Sequence, residues 1–224
     1  MKKLESSLKN MLLVLTGITA ISVALLAWVN ELTKEPIAEA NAKALNEALG
    51  QVLPEFDNTP SAEADTLYSE KDGKQKVDFI IYPAKKGDQW VGSAVQATSL
   101  GFGGDLVVLV GFDAEGAIHG YSILASSETP GLGSKAGDWF NNGGKGCIIG
   151  LNPGEAPLTV SKDGGQVDAI TASTITSRAF LKAVNAAFQA YKNGAAADAT
   201  SGATQKVQQA VEEVVEAADS VVVE

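Results

Sequence analysis

Residues 11–29 read Met-Leu-Leu-Val-Leu-Thr-Gly-Ile-Thr-Ala-Ile-Ser-Val-Ala-Leu-Leu-Ala-Trp-Val, without a charge among them. At ~1.5 Å per residue, a helix of that length nearly crosses the hydrocarbon core of a bilayer. Lys2, Lys3 and Lys9 come before it. The positive-inside rule therefore predicts a cytoplasmic N-terminus, with everything after Asn30 extracytoplasmic. Trp28 falls at the expected interfacial depth. A cleaved signal peptide is the competing reading. Its apolar region would normally be only ~7–15 residues, and no small-residue cleavage site directly follows the run; Ala38-Glu39-Ala40 lies well downstream. A retained single anchor is the expectation.

The chain beyond the anchor is long enough for one sizeable core. Four segments are predicted: 1–33, the cytoplasmic N-terminus and transmembrane anchor; 34–64, a membrane-exit helix and linker; 65–195, the folded domain; and 196–224, a C-terminal helix. Glu35 to Leu53 is rich in Ala and Leu and reads as helix, whereas Pro54 to Ala64 reads as a connection. Strands are expected at 74–82, 91–97, 106–112 and 117–124, between Asp-Gly, Lys-Gly-Asp and Ala-Glu-Gly turn signals. Thr98 to Asp105 is glycine-rich but lacks the setting of a dinucleotide loop, and reads as a wide turn. Short connections imply a mainly antiparallel sheet, and a helix at 178–193 packs on it. The fold class is α+β.

Composition excludes several functions. A net charge of -10 leaves no basic stripe for nucleic acid. Cys147 is the lone cysteine and nothing near it has metal-ligand spacing, so neither a disulfide nor a metal centre is expected. His119, the one histidine, sits in an apolar-flanked run and reads as a strand residue. No catalytic residue is predicted.

The chemistry concentrates in Asp168-Ala-Ile-Thr-Ala-Ser-Thr-Ile-Thr-Ser177. Hydroxyls at Thr171, Ser173, Thr174 and Thr176 precede the apolar positions Phe180, Val184, Phe188 and Tyr191, which recur at helical spacing. The helix is expected to begin just after this cluster. A helix start offers unpaired N–H groups and a positive dipole end, a ready place for a phosphate. No Asp or Glu occurs between Ala169 and Ala197, while Arg178 and Lys182 fall in the first turns. Those cations have the wrong sign for a bare helix start and the right sign beside an anion. An N-cap alone accounts for one hydroxyl without any ligand.

A second segment, Glu128-Thr-Pro-Gly-Leu-Gly-Ser-Lys135, carries a proline and two glycines in a specific loop. Leu132, between those glycines, is exposed unless something flat covers it. Together the two segments resemble the FMN-binding G subunits of the Rnf electron-transport complex, and are similar also to the C subunits of the sodium-pumping NADH:quinone reductase. In that family a Glu-Thr-Pro-Gly-Leu-Gly loop precedes an Asp-x-x-(Ser/Thr)-Gly-Ala-Thr segment whose last Thr bears FMN through a phosphoester. By position, Asp168 is the motif's Asp, Thr171 its first hydroxyl and Thr174 the flavin-bearing residue. Ala172 and Ser173 stand where Gly-Ala is usual. Ser126 stands where the family often has His, so no histidine role carries over.

The resemblance implies covalent FMN as cofactor and a separate flavin transferase, drawing on FAD, as a maturation partner that recognises Asp168. It implies membership of an inner-membrane complex that moves electrons between ferredoxin and NAD and couples this to ion translocation. Thr171, Ser173, Thr176 and Ser177 are candidates to hold the phosphate and ribityl chain, Glu128 and Thr129 the polar edges of the ring, and Leu132 its face.

Asp198-Ala-Thr-Ser-Gly-Ala-Thr204 matches the attachment pattern letter for letter. Its downstream neighbours, Gln205-Lys206 with Glu212 and Glu213 beyond, are unlike the family and poor company for a phosphate, so Thr174 is preferred over Thr204. Two alternatives stay open: the sodium-pumping relative, and a membrane-anchored module that binds a phosphorylated ligand reversibly without redox work.

Overall fold

The computed structural model describes residues 8–71 and 74–198. Thr204, its preceding motif and the segment beyond 198 expected as a C-terminal helix lie outside them, as do Lys2 and Lys3. The chain divides into two compact units, Met1–Asn46 and Glu47–Glu224. A helix α1 that runs Leu8–Val52, its last turn belonging to the second unit, is long and apolar enough to cross a membrane, with its large apolar side chains exposed along the first thirty residues. Anchor and exit helix are thus one helix, continuing through Pro36.

The second unit is a five-stranded antiparallel meander: β1 (Asp65–Lys71), β2 (Lys74–Lys86), β3 (Gln89–Leu100), β4 (Asp105–Asp113) and β5 (Ile118–Ser126), in that order. A short helix α2 (Ala136–Trp139) and a long one, α3 (Thr174–Asp198), come after the sheet. The expected α+β class with an antiparallel sheet is what forms.

The strands differ from expectation in instructive ways. β1 is an edge strand whose sequence, Asp-Thr-Leu-Tyr-Ser-Glu-Lys, is too polar for an alternating pattern to reveal; Leu67 packs towards the core. β2 runs past Pro83, although proline cannot donate to a ladder. It does so because β1 ends its pairing at Asp65↔Ile81. From there Asn58 takes over that edge, donating to the Pro83 carbonyl at 3.0 Å and accepting from the Lys85 N–H at 3.0 Å. The connection after β3 is tight rather than wide: strand pairing continues to Leu100↔Asp105, and the Gly101 N–H meets the Gly104 carbonyl at 2.8 Å.

The two faces of the sheet are covered differently. One carries the main core, where α3 buries Phe180, Val184, Phe188 and Tyr191 against Val95, Val108, Val110 and Phe112. Phe180 stacks on Phe140 at 4.3 Å between centroids, and Tyr121 meets it edge-on at 4.9 Å. On the other face the last turn of α1 buries Ala48, Leu49 and Val52. It approaches over the cross-strand pair Gly111↔Gly120, where a side chain on Gly111 would overlap the Val52 carbonyl.

Two further contacts fix segments on the way into α3. The Tyr121 hydroxyl reaches the carbonyls of Ala136 at 2.7 Å and Gly137 at 2.9 Å, holding the end of the 128–135 loop, and burial pushes its ionisation well above the usual tyrosine range. Trp139 Nε1 donates to the Asp168 carbonyl at 2.8 Å, tying α2 to the segment that leads into α3.

Candidate functional site

The 128–135 loop and the start of α3 line a cleft of about 380 Å3, within the range of small-ligand sites. The turn after β3 adds Phe102 to its wall. Phe102, Leu132 and Ile175 are 69%, 40% and 53% exposed, so three large apolar side chains stand open together at the cleft. Of these, Leu132 is foreseeable from sequence, whereas Phe102 and Ile175 are not. A lone Phe in a glycine-rich turn is a weak signal, although an exposed aromatic beside a candidate ligand loop is where one is found.

The loop itself is a β-turn. The Leu132 N–H meets the Thr129 carbonyl at 3.1 Å, with Pro130 and Gly131 at the central positions and Gly131 at φ 75. That pairing is the type II pattern, which needs a residue tolerant of positive φ at the third place. Gly131 N–H also donates to Ser134 Oγ at 2.9 Å.

Helix α3 starts at Thr174, inside the hydroxyl cluster and not after it. The first helical bond runs from the Ser177 N–H to the Ser173 carbonyl at 3.0 Å. Ser173 therefore occupies the cap position and Thr174 the first helical one. The residue before the cap, Ala172, has φ 61, the one non-glycine residue with positive φ among the described residues. A left-handed backbone costs an alanine roughly 1–2 kcal/mol.

The hydroxyls divide by phase around the first turn. Ser177, wholly buried, donates to the Ser173 carbonyl at 2.9 Å and accepts from the Ile170 N–H at 2.9 Å. Thr176, also buried, lines the cleft but donates to Glu128 Oε2 at 3.0 Å. Ser173 and the half-buried Thr174 line the cleft as well, and Thr171 is exposed outside its lining.

Glu128 is a staple. Its Oε1 accepts the Phe102 N–H at 2.7 Å, its Oε2 accepts the Thr176 hydroxyl, and only 8% of the residue is exposed. One carboxylate thus joins the turn after β3, the 128–135 loop and the start of α3. Two glycines make room for it: a Cβ on Gly133 would lie 2.6 Å from Oε2 and 2.8 Å from Thr176 Oγ1, and one on Gly101 would overlap Oε1. Thr129, next in the chain, is exposed and lines the cleft.

The charges are arranged otherwise than expected. Arg178 does not serve the helix start; Nη2 and Nε make a paired contact with Asp163 at 2.6 and 2.7 Å. The guanidinium holds the Asp163 carboxyl below the usual range. Asp163 belongs to a 3-10 turn at Ser161–Asp163, eleven residues before Thr174 by sequence position and invisible to a count of acids after Ala169. The cation that reaches the cluster is Lys162, whose Nζ lies 3.3 Å from Thr174 Oγ1. Asp168 faces the same turn, with Oδ1 accepting from Ser161 Oγ at 3.0 Å.

The cleft thus has apolar walls from Phe102, Leu132 and Ile175. It also has hydroxyls and a helix start without acidic residues in its first turn, with Lys162 reaching the Thr174 hydroxyl beside it. Such a site fits a ligand with a flat apolar part and an anionic end.

Comparison with known proteins agrees. Residues 101–189 match the FMN-binding domain family, and residues 1–52 match the RnfG N-terminal region. The chain is 36% identical over 173 residues to the G subunit of the ion-translocating oxidoreductase complex of Stutzerimonas stutzeri, covering 73% of this chain and 72% of that one. It is 33% identical over 190 residues to the G subunit of the Na(+)-translocating ferredoxin:NAD(+) oxidoreductase complex of Acetobacterium woodii, covering 81% and 90%. The G subunit of the ion-translocating oxidoreductase complex of Cereibacter sphaeroides is 36% identical over 171 residues, covering 74% and 75%. The FMN-binding match contains every wall of the cleft, from Phe102 to Thr176. This chain belongs to the family of G subunits of ion-translocating oxidoreductase complexes.

Proposed function

We propose that the chain is the electron-carrying G subunit of a membrane ferredoxin:NAD oxidoreductase coupled to ion translocation, with FMN held by a phosphoester to Thr174. One observation carries the reading: the Thr174 hydroxyl lines the cleft at the first helical residue, with Lys162 beside it and apolar Phe102, Leu132 and Ile175 in the same cleft or next to it. Bound there, FMN supplies the electron-transfer chemistry that no side chain of the domain can.

The chain's own residues have narrower tasks. Phe102, Leu132 and Ile175 shield a flat ring from water. Glu128, for which Gly133 makes room, holds the walls together, so the polar ring edges fall to Thr129 and to backbone N–H groups. Ser173 and Thr171 remain for the phosphate and ribityl chain, whereas Thr176 and Ser177 act through the helix start they brace.

Among the described residues the side chain bonded to the Thr174 hydroxyl is the Lys162 ammonium, a cation and not a base that would make the hydroxyl a nucleophile. A separate flavin transferase is the maturation partner, and exposed Asp168, Thr171 and Ala172 are its means of recognition. The subunit is a carrier and not a catalyst by itself. α1 is the single inner-membrane anchor, with the domain on the extracytoplasmic side, and a tether of this kind keeps the carrier concentrated near its partners.

Full-length protein matured in a host with the transferase tests this. Flavin fluorescence should survive denaturing gels, and the FMN mass should sit on the tryptic peptide that ends at Arg178. Thr174→Ala should abolish both. An unmodified peptide, or a label that persists in the Thr174→Ala variant, overturns the assignment and redirects attention to Thr204.

A further inference from the structure

We infer that Lys162 is a positioning residue for the phosphate on Thr174, favoured for that task over Arg178 by the ion pair that commits Arg178 to Asp163. The inference rests on the reading of Thr174 as the attachment point and adds a counter-ion to it.

Of the cations on or near the first turns of α3, Arg178 and Lys162 have side-chain contacts there, whereas the exposed Lys182 lies one turn further along. Arg178 is committed: both its Nε and Nη2 are taken by the two oxygens of Asp163, in the fork geometry that gives such pairs their direction. Lys162 is adjacent to Asp163 in the chain, yet among the described residues its polar partner is the Thr174 hydroxyl at 3.3 Å. The other carboxylate in the neighbourhood, Asp168, is engaged by Ser161.

The backbone here is built to keep that order. Val160 bridges Val167, the Ser161 N–H meets the Val167 carbonyl at 2.8 Å, and the Gly165 N–H meets the Val160 carbonyl at 3.1 Å. Gly164, at φ 84, turns the chain back on itself. Gly165 lies so close to Thr159 that a side chain would overlap it. The Asp163–Arg178 pair then pins this closed loop to α3, and the Lys162 side chain of that loop reaches the Thr174 hydroxyl.

A lysine facing a neutral alcohol gains little. Once the alcohol is a phosphodiester, which carries one negative charge, the same contact becomes an ion pair at a helix start that already favours anions. The pair is at the surface, so its strength is modest and falls with salt. Its effect is on orientation: it fixes the phosphate, and with it the direction in which the attached ring leaves Thr174 towards Phe102 and Leu132.

The test uses full-length protein flavinylated in a transferase-bearing host, as wild type, Lys162→Met and Lys162→Arg. Mass spectrometry reads loading, flavin fluorescence anisotropy reads ring order, and the phosphorus-31 resonance reads the phosphate's surroundings, each at low and high salt. Lys162→Met should load at Thr174 and lose ring order at low salt, with the ratio of held to free flavin down about 2- to 5-fold. Its phosphorus resonance should no longer move with salt, and Lys162→Arg should restore both signatures. Loading lost in Lys162→Met but kept in Lys162→Arg also supports the inference, since the phosphate then needs the charge on arrival. A loaded Lys162→Met protein that matches wild type in anisotropy and salt response overturns it, as does equal loss of loading in both variants. A wild-type protein without flavin on Thr174 is a different failure, seen by mass alone, and removes the attachment reading as well.

Discussion

Helix α3 treats its first turn and its body by different rules. From Phe180 onward it is held by volume: Phe180, Val184, Phe188 and Tyr191 fill the space over the sheet, and Phe140 stacks on Phe180. Before Phe180 it is held by hydroxyls: Thr176 and Ser177 are buried like core residues but bond to Glu128, to the Ser173 carbonyl and to the Ile170 N–H. Filling is tolerant of which apolar side chain does it; hydrogen bonding is not, because a lost partner leaves a buried group unsatisfied. The difference teaches that stability and site geometry share one helix while resting on separable residues.

The largest effect should come from the body. Phe180→Ala removes the ring that both Phe140 and Tyr121 pack against and should cost about 3–5 kcal/mol in denaturant unfolding. A loss under about 1 kcal/mol would erase the contrast between body and first turn. Next comes Thr176→Val, nearly the same in shape, which leaves Glu128 Oε2 without its donor. About 1–3 kcal/mol should be lost, and flavin occupancy should fall with it because two cleft walls are joined there.

Ala172→Gly should move the other way. It relieves the positive φ before the cap, worth roughly 1–2 kcal/mol, less the roughly 0.5–1 kcal/mol that glycine costs through chain entropy. A small net gain in thermal stability is expected, and a loss would mean that the backbone there is not strained.

The smallest effect is a pH dependence. Asp163 has its folded pKa below the unfolded value because of Arg178. The pair therefore contributes fully above the unfolded carboxylate pKa, near pH ~4, and its contribution disappears as pH falls through the lower folded value. The Arg178 Nε–H resonance should stay in its bonded position from neutral pH down to about 4 and lose it only below. Release at higher pH would mean that Asp163 does not keep Arg178 away from Thr174.

Much of this could be read in the chain. The apolar face of α3 was legible because Phe180, Val184, Phe188 and Tyr191 repeat at helical spacing, and the inner strands because their apolar runs lie between turn signals. The two segments that form the cleft stand out through their glycines and hydroxyls. β1 does not, since an edge strand such as Asp65–Lys71 can be polar on most of its length. The extension of β2 through Pro83 is hidden because Asn58 replaces the missing neighbour from a connecting segment.

The roles within the site were the least legible. Counting hydroxyls locates the cluster, but which of them are spent on structure depends on Glu128, which arrives from 48 residues away. The sign of charge near the helix start is legible and its bearer is not: Arg178 is occupied by Asp163, and Lys162 stands in its place. Phe102 became part of the cleft because β4–β5 pairing brings the turn after β3 beside Ser126 and Glu128 then bonds the Phe102 N–H.

Local order in the chain determined what needs only near neighbours: an uncharged run that must be helical, the alternation of strands and turns, the apolar face of α3, and the residue types gathered at Asp168–Ser177. Tertiary structure alone decided which hydroxyl faces the cleft, which cation stands beside it and which aromatic forms its wall. The reason is range. Periodicity and turn chemistry act over a few residues, whereas a staple such as Glu128 or a pair such as Asp163–Arg178 exists only once distant segments have been brought within about 3 Å.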